Sequence, residues 1–131
     1  MKVTLSNGKE IEALGVHGRN ISYQGVQRDS LIFLFEIDNE SLTDAMTDFT
    51  AENCKVVTLE SDDGEQFIHE HYTIRTELGY GFKDLVLTGG ISGKDDTKVV
   101  YVRMAQTTLL ERTVENQQEA IDNLIVAALE G

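Results

Sequence analysis

Five consecutive large apolar residues, Leu31-Ile32-Phe33-Leu34-Phe35, lie between Arg28-Asp29-Ser30 and Glu36. No other segment constrains the fold as much. Side chains of a strand point alternately to opposite faces, so an unbroken apolar run needs cover on both. The run is expected to be the most buried strand of the domain. Its surroundings read the same way: residues 1 to 37 predict strands joined by turns. Val3 and Leu5 alternate with Lys2, Thr4 and Ser6, Asn7-Gly8 offers the two positive-φ positions of a type I′ hairpin turn, and Ile11 and Ala13 resume the alternation. Ile21 and Tyr23 alternate again before a turn or bulge at Gln24-Gly25.

Further along, Ser41 is an N-cap residue, and Leu42, Ala45, Met46 and Phe49 follow at spacings of three and four, predicting a short helix over 42–50 with Asp44 in its first turn. Residues 55–60, a turn at Asp62-Asp63-Gly64, and a strand over 66–78 predict a second hairpin, with Phe67, Tyr72, Ile74 and Leu78 as core candidates. Leu85-Val86-Leu87 is a short apolar run, the glycine-rich segment 89–96 reads as a polar loop, and 98–104 is the last strand. After Thr107 or Thr108, each a candidate N-cap, the apolar period lengthens. Leu110, Val114, Gln117, Ile121, Leu124 and Ala128 recur at spacings of four and three, with Val114, Ile121 and Ala128 at a and the others at d of about three heptads.

The fold class expected is therefore α+β: a mainly antiparallel β-domain, sandwich or small barrel, over residues 1–107 with one short helix, then a long amphipathic C-terminal helix over 108–131. An amphipathic helix either packs on its own domain or joins other chains. The polar Gln117 in the middle of the stripe favours self-association, because symmetric copies can pair it. The six stripe residues are accordingly the candidate oligomer interface.

Charge removes several function classes. Eleven Lys and Arg face 23 Asp and Glu, a net charge of −12, and no basic cluster is present to neutralise phosphates, so neither nucleic acid nor a membrane surface is an expected partner. Nine of the acids fall between Glu36 and Asp63, against Lys55 alone. They read first as a solvated face, and secondly as a DNA-mimicking inhibitor surface. With 131 residues, 40% of them hydrophobic, one core is expected, and no apolar run approaches the roughly 20 residues of a membrane span. The first residues lack the pattern of a secretory signal, which predicts a soluble, cytoplasmic product.

Catalytic signatures are weak. On an extended strand His69 and His71 would share one face, with Glu70 on the other, and Gly64 to Gly79 looks superficially like the first cupin motif. Its spacings depart from that motif, and a second motif with its proline and histidine has no counterpart in a chain without proline. A small cupin-like metalloprotein is thus the least favoured alternative, and no metal, cofactor or catalytic residue is expected. Cys54, the single cysteine, follows Glu52-Asn53 and reads as a small core residue rather than a nucleophile. Arg28 and Asp29 read as a loop-tying ion pair.

The order of these segments resembles a known group. Asn7-Gly8, residues 24–35, Phe49-Thr50-Ala51-Glu52-Asn53-Cys54 and Met104-Ala105-Gln106-Thr107 before an acidic helix ending Leu129-Glu130-Gly131 resemble small tail-region structural proteins of phages and prophages of Gram-positive bacteria. The resemblance implies a non-enzymatic virion or tail-assembly component, cytoplasmic during assembly, that contacts its own copies and other tail proteins. It carries no catalytic residues.

Overall fold

Two antiparallel sheets of four strands form the body of the chain. The first takes β1 (Lys2–Thr4), β2 (Glu10–Glu12), β5 (Val56–Glu60) and β6 (Gln66–Glu70) in the order β2-β1-β5-β6. The second takes β3 (Gly15–Tyr23), β4 (Val26–Glu36), β7 (Ile74–Phe82) and β8 (Lys98–Ala105) in the order β3-β4-β8-β7. Three helices complete the α+β architecture among the described residues: α1 (Leu42–Asp48), α2 (Lys83–Thr88) and α3 (Leu109–Glu130). This computed structural model describes residues 1–88 and 97–130, with backbone alone for Thr88 and 123–130. The expected loop at 89–96 and the side chains of Leu124 and Ala128 lie outside the described residues.

The apolar run of β4 is buried on both faces, as its composition requires. Leu31, Phe33 and Phe35 enter the main core shared by the two sheets, where they meet Val3, Leu59 and Val102. Phe49, just past α1, completes an aromatic cluster, its ring 5.0 Å from that of Phe33 and 5.5 Å from that of Phe35. Ile32 and Leu34 face the other way and join Val99, covered by Val86, Leu87 and Tyr101. The run Leu85-Val86-Leu87 therefore belongs to a helix, α2, which seals the outer face of this sheet.

Two of the hairpin turns lie where expected, at Asp62-Asp63-Gly64 and Gln24-Gly25, whereas the first is of a different type. Between β1 and β2, Leu5 N donates to Lys9 O, Gly8 N donates to Leu5 O, and only Gly8 has positive φ, so the loop is Ser6-Asn7-Gly8. A two-residue type I′ loop at Asn7-Gly8 would slip the register by one. Val3 would then oppose Glu12 instead of Ile11, and Ile11 and Ala13 would leave the core. The β5–β6 hairpin repeats this turn with Ser61-Asp62-Asp63-Gly64-Glu65. The type I′ turn sits instead at Gln24-Gly25, whose φ values are 54° and 74° between the paired Tyr23 and Val26.

Other expectations are corrected by burial. Ser41 caps α1 through its Oγ, 3.1 Å from Asp44 N, but Met46 is 53% exposed and takes no part in the buried stripe of Ala45 and Phe49. The strand expected over 66–78 is broken at His71, with φ 70°, where the chain leaves the first sheet for the second. Tyr72 is buried there, whereas Phe67 is largely exposed because β6 is an edge strand.

Candidate functional site

The base of α3 is built from local capping and one long-range ion pair. Thr108 Oγ1 accepts from Glu111 N at 3.2 Å, and Glu111 Oε1 accepts from Thr108 N at 2.8 Å, a reciprocal capping box. Arg28, on β4, then reaches both carboxylate oxygens of Glu111, Nη2 to Oε2 being 3.0 Å. Two further bonds hold it, from Nε to Tyr23 O and from Nη1 to Gln106 O, each at 3.2 Å. The guanidinium beside Glu111 and the capping bonds hold that carboxyl down to about 2. Arg28 therefore does not pair with Asp29. Adjacent strand residues point to opposite faces, and Asp29 instead accepts from Asn20 Nδ2 at 3.3 Å.

Beyond that first turn, among the described residues no strand packs extensively along α3, and residues 113–122 are exposed. Leu110 is 73% exposed, Ile121 51%, and Val114 and Gln117 are likewise open to solvent. These four candidate interface residues follow one another along the described part of the helix. Packing of the stripe on the chain's own sheets, the competing expectation, is not what the described residues do.

The histidine pair is not assembled. Strand β6 ends at Glu70, so the alternation that would align His69 with His71 stops before His71. The His69 ring stands edge-on to Tyr72, with centroids 5.6 Å apart, and burial pushes its pKa down. His71 is fixed through its backbone, its N–H donating to Lys55 O and its carbonyl accepting from Thr107 N. Among the described residues no group of three or more His, Cys, Asp or Glu side chains converges as a metal site. Cys54 is fully buried in the main core, and burial pushes its thiol up to about 12, far from an activated nucleophile.

The acidic segment is not uniformly solvated. Glu40 is 1% exposed and Asp48 is buried beside it, with Lys9 Nζ 2.6 Å from Asp48 Oδ2. Nothing in the sequence separates these two acids from their seven exposed or half-exposed neighbours, and sequence reasoning missed them. The Arg28–Glu111 pair was missed as well, although Thr108-x-x-Glu111 carries the capping-box signature.

Among the described residues no helix is long and apolar enough to cross a membrane. In comparisons with known proteins, no family model, curated protein or solved structure matches this chain.

Proposed function

We propose that this chain is a non-enzymatic structural or assembly protein of a phage or prophage tail, acting through contacts with its own copies and with other tail proteins. The observation that carries the reading is a helix fixed at its first turn and exposed beyond it as far as Asp122, with Leu110, Val114 and Ile121 along that part. Apolar side chains at heptad spacing on a free helix are a liability in water until something covers them. Copies of the same helix provide that cover, with Gln117 setting register by pairing across the seam. The sequence resemblance supplies the setting, and the β-domain serves as the body that the helix joins to its neighbours.

Light scattering on the purified chain tests the self-association. The full-length protein is expected as a defined oligomer, and Ile121→Asp, which places a charge in the seam, as a folded monomer. A full-length protein that stays monomeric at every concentration while α3 remains helical overturns the reading.

A further inference from the structure

We propose that Glu40, Asp48 and Lys9 form a proton-operated latch, which holds α1 over the main core while Glu40 carries a proton and releases it when that proton passes to water. Glu40 immediately precedes the N-cap of α1, its own N–H donating to Glu36 O at 3.0 Å. Asp48 is the last residue of the same helix, and Lys9 comes from the β1–β2 turn, so the cluster ties the helix to the first sheet.

The charges balance when the carboxylate pair holds one proton, and the ammonium on Asp48 together with the deeper burial of Glu40 places that proton on Glu40. With Glu40 neutral, its carboxyl hydrogen-bonds to the Asp48 carboxylate, and Lys9 neutralises Asp48. Loss of the Glu40 proton leaves two buried carboxylates against one ammonium, with Asp44 adding a further negative charge nearby. The second Glu40 oxygen, Oε2, is buried with no hydrogen-bond partner. A neutral acid tolerates an orphaned carbonyl oxygen far better than a carboxylate does. Burial first, and Asp48 second, accordingly push the Glu40 carboxyl up to about 8. On the β7 side, Arg75 reaches α1 at the carbonyls of Met46 and Phe49, and it does not relieve the carboxylate pair.

Cys54 reports on the latch because it is buried in the core that Ala45 and Phe49 cover, and it is the single thiol of the chain. The experiment follows the labelling rate of Cys54 by 4,4′-dithiodipyridine between about pH 5.5 and 9, divided at each pH by the rate for the urea-unfolded chain, which removes thiolate chemistry. The sign follows from linkage: a carboxyl whose folded pKa is raised favours the closed state fully at pH below its free value, and that preference is lost as pH rises to the folded value. The normalised rate is expected to climb about tenfold per pH unit and to flatten above about 8. Glu40→Gln should abolish the climb, and Asp48→Asn should keep it but flatten it at lower pH. An equal climb in Glu40→Gln overturns the latch. So does a Cys54 opening free energy equal to that of global unfolding in urea, since α1 would then not open by itself.

Discussion

Arg28 and Glu111 meet through both carboxylate oxygens, joining the buried third residue of β4 to the first turn of a helix that is exposed from residue 113 to 122. The guanidinium is almost fully buried while the carboxylate is part-exposed, so the strand supplies the fixed half of the contact. Because this pair and the capping box are what hold the start of α3, changes at either residue should act on the helix before they act on the sheets.

Acid should loosen that junction. A carboxyl with a depressed folded pKa contributes stability above its free value, near 4.5, and loses it as pH falls through the folded value of about 2. Amide hydrogen exchange at Glu111 and Arg112 is expected to accelerate over that window. In Glu111→Gln the acceleration should be absent and the amides less protected at neutral pH. Identical profiles for the two proteins would show that Arg28 does not hold the helix.

The core makes a sharper energetic prediction. Phe33 and Phe35 both face the main core and both touch Phe49. Truncating either to alanine should cost about 3 to 5 kcal/mol in urea denaturation, whereas Ile68→Ala, on the exposed edge strand, should stay within about 0.5 kcal/mol. Equal effects at the three sites would contradict the assignment of faces.

At the β3–β4 turn, Gln24 occupies left-handed backbone that L-residues with long side chains disfavour. Gln24→Asn should raise stability by about 0.5 to 1 kcal/mol, since asparagine followed by glycine suits a type I′ turn. Gly25→Ala should lower it by about 1 kcal/mol or more. A urea midpoint that moves the other way in Gln24→Asn would mean the turn is of another type.

Removing residues 108–131 should leave a chain that still melts cooperatively, because among the described residues the main core draws no side chain from α3. Near-ultraviolet circular dichroism from the buried aromatic cluster is the measurement. Its loss on truncation would make the helix part of the fold rather than an attachment to it.

Legibility in the sequence followed the range of the interaction. The β4 run announced itself because five adjacent apolar residues have one strand solution, and Ser41 because a cap acts over three residues. The parity of the first hairpin was also present: Val3, Leu5, Ile11 and Ala13 share a face only if the loop has an odd number of residues, a condition stronger than the Asn-Gly signal. By contrast, the break at His71 has no glycine or proline to mark it, and α2 is too short for its period to show. Spacing alone also marked Leu110, Val114, Gln117 and Ile121 as one stripe, and these are exposed on α3. The partner of Arg28 lay far along the chain, and the buried pair within the acidic segment depends on contacts from Lys9 that no local pattern encodes.

Strand β4 obtains its two neighbours at very different cost in chain entropy. β3 folds back onto it across a two-residue turn, while β8 reaches it from the far end of the domain, Ser30 pairing with Ala105. During synthesis the residues of the β3–β4 hairpin leave the ribosome long before Lys98–Ala105, so one edge of the most apolar strand must wait for its hydrogen-bonding partner. Docking of β8 closes that edge, joins β7 to the sheet and brings Arg28 within reach of Glu111, so the pairing of greatest sequence separation is the one on which the place of α3 depends.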